Sequence, residues 1–127
     1  MDKAVFDTRF LAELYYSQDA TVKQKLAKQK SCPKKYLSAI TVHEIYKLAL
    51  SLEGRETANL KVTLLKSDFE IVFVDDEIAK ISAELRQKYR LSMGDSMIAA
   101  TALKLKAVCV TDDPHFGQIR EIKIVWL

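Results

Sequence analysis

The chain has 127 residues, 49% of them hydrophobic and 29% charged, which is typical of one globular domain with a single core. No apolar run approaches the ~20 residues that a membrane-spanning helix needs, so we expect no insertion into a membrane. The net charge of +3 is compatible with a polyanionic partner but does not require one.

Short apolar runs alternate with longer amphipathic segments along the whole chain. The predicted strands cover residues 3–6, 36–40, 70–74, 107–110 and 122–126. The predicted helices cover residues 8–17, about 19–30, 41–52, 55–66, 75–90 and 94–106. Because strands alternate with helices, we predict one α/β domain over residues 1–127. Its mainly parallel five-stranded sheet carries helices on both faces, as a three-layer sandwich.

The helix predicted over 94–106 is apolar or small on nearly every side, so we expect it to be buried. Asp95 lies in its first turn, above an apolar stripe. The buried strand that follows ends in Asp112 and Asp113. Burying a carboxylate is costly unless something neutralises it. A helix cap, a base or a metal ion is therefore expected at these acids.

Other acids follow the remaining predicted strands. Asp7 comes directly after the first strand, and Glu44 begins the helix after the second. In a parallel sheet, ligands bind at the carboxyl ends of the strands, where the strand order reverses. If the first and fourth strands are neighbours, these two acids gather with Asp95 and Asp113 at one edge. Carboxylates without a fixed lysine or arginine in their motifs favour a hard cation, Mg²⁺ or Mn²⁺.

Each acid also has a purely structural explanation. Asp7 fits the N-cap of the first helix, and Thr41 with Glu44 fits a capping box. Asp95 fits a weaker version of that box, and Asp113 precedes a proline, as an N-cap residue often does. Several caps that converge at one edge would repel each other and raise at least one pKa. The set as a whole therefore favours a metal site.

The remaining motifs carry little functional signal. There is no G-x-G-x-x-G and no G-K-[ST] loop, so nucleotide binding is not expected. Cys32 and Cys109 are too far apart for a C-x-x-C pair, which favours a reducing, cytoplasmic location, and we expect Cys109 in the core. His43 is expected on a helix surface. His115, beside an acid, would reach a substrate phosphate, although a histidine in a turn usually has no specific role.

Four segments, in the same order as in the family, resemble the PIN domain and especially its VapC-type toxins. They read A-V-F-D-T, T-V-H-E, G-D-S-M-I-A-A-T-A-L and V-C-V-T-D-D-P-H-F. The resemblance implies a PIN-like fold and a metal-dependent ribonuclease. It also implies a homodimer that a small antitoxin neutralises. By this resemblance the acidic residues of the site are Asp7, Glu44, Asp95 and Asp113, with Thr111 as the hydroxyl beside the last.

Asp112 and Asp113 compete for the fourth acidic position. They point in opposite directions if the strand persists, so only one of them faces a metal. The place of Asp113 in T-x-D-x-x-F favours Asp113.

The residues of the predicted site divide into three roles. The metal ligands, direct or through water, are Asp7, Asp95 and Asp113. Glu44 would orient a water or a second ion, and we include it among the metal-binding acids. Thr8 and Thr111 would hold ligand waters or a phosphate oxygen through their hydroxyls.

These inferences predict a toxin that hydrolyses RNA phosphodiester bonds with Mg²⁺ or Mn²⁺, in single-stranded or loop regions. A housekeeping RNA-processing nuclease of the same family is the nearest alternative. Asp75 and Asp76 resemble the acidic pair of a phosphoacceptor receiver domain, but that pair normally follows the first strand, and here it follows the third. A silent PIN-like scaffold is a third possibility, and the complete set of four acids argues against it.

Overall fold

The computed structural model describes residues 2–126, in which a five-stranded parallel sheet is covered by helices. The strands are β1 (Lys3–Phe6), β2 (Lys34–Ser38), β3 (Glu70–Val72), β4 (Val108–Val110) and β5 (Ile124–Val125). The helices are α1 (Thr8–Tyr16), α2 (Ala20–Gln29), α3 (Ala39–Glu53), α4 (Arg55–Asp68), α5 (Asp76–Lys88) and α6 (Met93–Leu105). A short 3₁₀ turn covers Phe116–Gln118.

The strand order is β3-β2-β1-β4-β5, and every neighbouring pair is parallel. The chain therefore adds β2 and β3 on one side of β1, then returns to add β4 and β5 on the other side. The register pairs Ala4 with Val108 and Phe6 with Val110. The first and fourth strands are thus neighbours, which is the condition under which the four acids were expected to gather at one edge. The strand order reverses at this pair, where α/β folds bind their ligands.

Two hydrophobic cores, one on each face of the sheet, hold the layers together. Val5 and Cys109 belong to the core that contains residues of α5 and α6. Phe6 and Val110 belong to the other core, with residues of α1, α2, α3 and α4. Because neighbouring residues of a strand point to opposite faces, this alternation requires both faces to be covered. The three-layer prediction and the burial of Cys109 are confirmed.

Helix α6 is buried along most of its length, as its sequence predicts. Its small residues at Ala99, Ala100 and Ala102 are fully buried, which lets the helix lie close to its neighbours. Ser92 caps the helix by accepting a hydrogen bond from the backbone N–H of Asp95, at 3.1 Å. The helix ends at Lys106, which adopts the left-handed conformation with a φ of +54°.

Helix α3 begins two residues earlier than predicted. Its N-cap is Ser38, whose hydroxyl accepts a hydrogen bond from the backbone N–H of Ile40 at 3.2 Å. Strand β2 therefore ends at Ser38 instead of residue 40. Thr41 lies inside the helix and is fully buried, so the predicted capping box with Glu44 is wrong. The side chain of Glu44 is thereby available for a tertiary contact.

The segment after β3 starts a helix, as expected. Asp75 is the N-cap of α5 and accepts a hydrogen bond from the backbone N–H of Ile78 at 2.9 Å. Helix capping therefore accounts for Asp75, one of the two acids that resembled the acidic pair of a receiver domain. His43 is exposed on α3, also as predicted. Within residues 2–126, none of the helices combines the length and apolar character that crossing a bilayer requires.

Candidate functional site

Acidic side chains meet where the carboxyl ends of β1, β2 and β4 lie side by side. Asp7 follows β1, and its backbone N–H donates to the carbonyl oxygen of Val110 at 3.0 Å, which joins the ends of β1 and β4. Asp95 stands in the first turn of α6, and Asp113 follows β4. Ligand atoms of Asp95 and Asp113 lie within 4.8 Å of each other, and the Thr111 hydroxyl bonds both to Asp7 and to the backbone N–H of Asp113. The structure therefore brings the three acids together.

Asp7 is the most deeply placed of these acids, with 3% of its surface exposed. Its Oδ1 accepts from the backbone N–H of Thr8 at 2.8 Å, and its Oδ2 accepts from the Thr111 hydroxyl at 2.7 Å. The pKa of Asp7 is raised from 3.8 to about 6, mainly by burial. The charges of Asp95 and Asp113 also raise it, and the hydrogen bonds from Thr111 and Thr8 lower it. Asp7 therefore caps α1 and also faces the acidic cluster.

Asp95 and Asp113 form the closest group, together with the exposed His115. One carboxylate or imidazole atom from each residue lies within 4.8 Å of those of the other two. Burial raises the pKa of Asp95, and the charge of Asp113 and then that of Glu44 raise it further, while a hydrogen bond with Ser92 lowers it. The carboxylates thus repel each other in the absence of a cation, as expected for a site that binds one.

Glu44 reaches the cluster from α3. Its Oε1 accepts from the Thr8 hydroxyl at 2.5 Å, and the same hydroxyl lies 3.3 Å from that of Thr41. Its Oε2 would lie 3.3 Å from a Cβ atom placed on Gly94, so the carboxylate rests against the first turn of α6. Thr41 and Gly94 were missed as site residues. Gly94, which precedes Asp95 in G-D-S-M, could have indicated that another group packs against the start of α6, because a close approach to the backbone often requires glycine.

Asp112 and Asp113 have different environments although they are adjacent. Asp112 is exposed, and its two carboxylate oxygens accept from Arg9 Nε at 2.6 Å and Arg9 Nη2 at 3.2 Å. Asp113 accepts from the backbone N–H and Nδ1 of His115, at 2.9 and 2.8 Å. Its own backbone N–H donates to the Thr111 hydroxyl at 3.0 Å. Asp113 therefore belongs to the acidic cluster, and Asp112 belongs to a surface ion pair.

The donor atoms of this group fit a hard divalent cation. Carboxylate oxygens are the ligands that Mg²⁺ and Mn²⁺ prefer, and Asp7, Asp95 and Asp113 provide them on three separate elements. In the described part of the chain, no lysine or arginine forms an ion pair with these three acids or with Glu44. Apart from the imidazole of His115, which lies 2.8 Å from Asp113 Oδ1, protein side chains therefore leave the negative charge of these acids without a fixed basic partner.

The contrast between the two adjacent aspartates leads to a binding prediction. We expect Asp113→Asn to weaken Mn²⁺ binding at least about tenfold, because the variant loses a charge inside the cluster. Asp112→Asn should change the affinity little, because that carboxylate already pairs with Arg9. Calorimetric titration of both variants with Mn²⁺ measures the difference. The reverse ranking would move the site to Asp112.

A profile of the PIN domain family matches residues 4–122. No curated protein matches the chain. Several solved structures share its fold. One is a toxin–antitoxin complex from Klebsiella pneumoniae, with 29% identity, a TM-score of 0.77, and coverage of 97% of this chain and 96% of that chain. Another is DNA-bound VapBC from Salmonella typhimurium, with 22% identity and a TM-score of 0.79. The match covers 99% of this chain and 98% of that chain.

The fold also matches VapC20 of Mycobacterium tuberculosis, described as a toxin that cleaves the sarcin–ricin loop. The identity is 16%, the TM-score is 0.74, and the coverage is 94% of this chain and 98% of that chain. These structures share the parallel sheet, and the family profile spans β1 to the segment before β5. The chain belongs to the PIN domain family.

Proposed function

We propose that this protein is a metal-dependent endoribonuclease and the toxin of a toxin–antitoxin pair, acting in the cytoplasm. The observation that carries the proposal is the convergence of Asp7, Asp95 and Asp113 at the point where the strand order reverses. Membership of the PIN domain family supports a nuclease, and the raised pKa of Asp7 supports a cation as the partner of the cluster.

Three aspartates would hold the cation, Mg²⁺ or Mn²⁺. When bound, such an ion acts as a Lewis acid that activates a water and offsets charge on the phosphodiester. Asp7 contributes from the end of β1, Asp95 from the start of α6 and Asp113 from the turn after β4. Because each acid comes from a different element, the packed sheet and helix fix their mutual distances.

Hydroxyl groups position these acids. The Thr111 side chain donates to Asp7 and accepts from the backbone N–H of Asp113, so one residue orients two proposed ligands. Thr8 donates to Glu44, which keeps that carboxylate beside the first turn of α6. In our proposal Glu44 orients a water or a second ion, and Thr8 and Thr111 help to hold water or a phosphate oxygen.

RNA is the proposed substrate, in a single-stranded or loop region. Sequence-specific cleavage of RNA usually requires unstacked bases, which loops provide. VapC20, which has the same fold, is a toxin that cleaves the sarcin–ricin loop, and this motivates the same class of substrate for this chain. A net charge of +3 is compatible with a polyanion.

We further propose an antitoxin partner and a homodimeric toxin. The similar structures from Klebsiella pneumoniae and Salmonella typhimurium are toxin–antitoxin complexes, which motivates the first proposal. The homodimer rests on the resemblance to VapC-type toxins alone. A housekeeping RNA-processing nuclease would use the same site, and the neighbouring reading frame separates the two. A short frame just upstream that encodes a DNA-binding segment is expected for a toxin.

Metal removal tests the activity directly. We expect the purified protein to cut a structured RNA pool in Mn²⁺ and to leave it intact in EDTA. Cleavage should return when excess Mn²⁺ is added back. Single-stranded DNA of matched length serves as the substrate control, and gel electrophoresis of the products gives the readout. A protein that binds Mn²⁺ without cutting any RNA would instead support a silent scaffold. Covalent labelling by a phosphodonor would support a receiver module.

A further inference from the structure

Phe73 is an aromatic residue at the carboxyl ends of the strands, the same end of the sheet as the acidic cluster. It is 78% exposed, the largest exposed fraction among the large hydrophobic side chains of the described residues. It directly follows β3, which is the outermost strand on that side of the sheet. Neither the two cores nor the proposed metal site uses this side chain.

The register of the sheet locates Phe73 relative to the acids. Val72, the residue before it, pairs with Ser38, where β2 ends and α3 begins. Helix α3 then brings Glu44 to Thr8, beside the end of β1. Phe73 therefore lies two strand positions from β1, or about 10 Å at the usual spacing between strands.

A second exposed apolar residue lies on the same side of the acids. Met93, the first residue of α6, is 56% exposed. Its neighbour Gly94 lies against Ile40, since a Cβ atom on the glycine would be 3.9 Å from Ile40 Cγ1. Ile40 is two residues beyond Ser38, the register partner of Val72. Two exposed apolar side chains, Phe73 and Met93, therefore lie on the side of the site toward β3.

The opposite side of the site is polar. In the segment that follows β4, Asp112 pairs at the surface with Arg9 of α1, and the imidazole of His115 is exposed. A nucleic acid strand has the same asymmetry, with charged phosphates on one side and flat bases on the other. A strand that presents a phosphate to the acids can place a neighbouring base over Phe73.

We propose that Phe73 stacks on an RNA base that flanks the scissile phosphate and so helps to position the substrate. This inference rests on the ribonuclease function proposed above and extends it to a named substrate contact. Aromatic side chains stack on unpaired bases in most proteins that bind single-stranded RNA. Such stacking tolerates different bases, because every base offers a flat face.

The exposed area favours a base over a second protein chain. A phenylalanine side chain that is 78% exposed offers about 150 Å². Met93 adds less than that. A stable protein interface buries about 800 Å² on each partner. The exposed apolar area of Phe73 and Met93 is therefore too small to form a stable protein interface by itself. It is large enough to cover one face of a base.

Binding of a fluorescent RNA tests the contact. Asp95→Asn prevents cleavage in our proposal, so every protein in this assay carries it. The probes are short uridine oligoribonucleotides with 2-aminopurine placed at each position in turn, because stacking quenches the fluorescence of that base. We expect quenching at one or two adjacent positions. Phe73→Ala should abolish the quenching and weaken binding at least about fivefold, whereas Phe73→Trp should retain both.

A matched control comes from helix α4. Leu60 is also a large hydrophobic residue, 60% exposed, and it lies within α4 rather than directly after a strand, as Phe73 does. Leu60→Ala should leave quenching and affinity unchanged. In the active protein, Phe73→Ala should raise KM for RNA more than it lowers kcat, because stacking positions the substrate without taking part in the chemistry.

Other outcomes separate the two levels of the proposal. If the parent protein cuts RNA and Phe73→Ala binds and quenches like the parent, the stacking inference is overturned and the ribonuclease stands. If the parent cuts nothing, the ribonuclease proposal fails, and the quenching assay still reports on stacking. Sedimentation of the parent and of Phe73→Ala, which measures their oligomeric states, completes the test. A loss of RNA affinity that follows dissociation of a dimer would make Phe73 a subunit contact and would overturn the inference.

Discussion

Asp95→Asn is expected to lower the rate of RNA cleavage at least about a hundredfold. Replacing a residue that only hydrogen-bonds to a metal ligand already lowers activity by up to about a hundredfold, and Asp95 is proposed to be a ligand itself. The carboxylate of Asp95 lies within 4.8 Å of ligand atoms from Asp113 and His115. Asparagine has nearly the same shape but lacks the charge that the proposed cation needs. The start of α6 should survive, because the hydroxyl of Ser92 caps the backbone N–H of residue 95 whatever its side chain.

Initial rates of cleavage in excess Mn²⁺ measure this effect, with circular dichroism as the check on folding. Asp112→Asn is the matched control, since it removes the charge of an aspartate that is adjacent to Asp113 but pairs with Arg9 outside the cluster. It should retain most of the activity. A folded Asp95→Asn protein with the rate of the parent would remove Asp95 from the proposed site and leave the family assignment intact.

The sequence predicted the fold well because the period of its hydrophobic residues is strong in both cores. Strand β1 and helix α6 were placed to within one residue, since both are buried on nearly every side. Strand β2 was placed two residues late. It begins with Lys34, which is exposed, so no hydrophobic signal marks its start. Backbone pairing between Lys34 and Lys3 extends the strand instead.

The proximity of the acids was predictable, but their individual contacts were not. Parallel strands place their carboxyl ends together, so the positions of Asp7 and Asp113 after two strands were informative. The capping box was a local pattern that a tertiary contact overrode, because Glu44 bonds to Thr8, 36 residues away. The pair of Arg9 with Asp112 spans 103 residues, a separation that no local spacing reveals.

Asp7→Asn is the second variant with a large expected effect, and it acts on stability. Burial is the main reason that the pKa of Asp7 rises from 3.8 to about 6 in the folded protein. A carboxyl group with a raised folded pKa stabilises the fold fully below its unfolded pKa. It loses that contribution as the pH rises through the folded value. Above pH 6, the metal-free parent therefore carries a buried charge that the variant lacks.

The free energy of unfolding of the variant, relative to the parent, should increase between about pH 4 and pH 7. The difference between pKa values of 3.8 and about 6 corresponds to about 3 kcal/mol. Asparagine keeps the oxygen that accepts from Thr8 and replaces the one that accepts from Thr111. That exchange adds an offset that does not depend on pH, so the slope with pH is the quantity that tests the argument.

Excess Mn²⁺ should reverse the order of stability at neutral pH. A ligand that binds only the folded state stabilises it by about 2.7 kcal/mol at a hundredfold excess over Kd. The parent should gain this amount. The variant, with one of three proposed ligands missing, should gain little. In EDTA at pH 8 the variant should therefore melt above the parent once the offset is subtracted, and in Mn²⁺ it should melt below.

Thermal and urea unfolding of both proteins, from pH 4 to pH 8 and in EDTA or Mn²⁺, measures the slope and the reversal. Asp112→Asn controls for the simple loss of one negative charge, because that carboxylate is exposed and pairs with Arg9 outside the acidic cluster. If Asp7 served only to cap α1, its replacement would cost about 1 kcal/mol or less at every pH. Mn²⁺ would then shift parent and variant equally, which would count against a metal at this carboxylate.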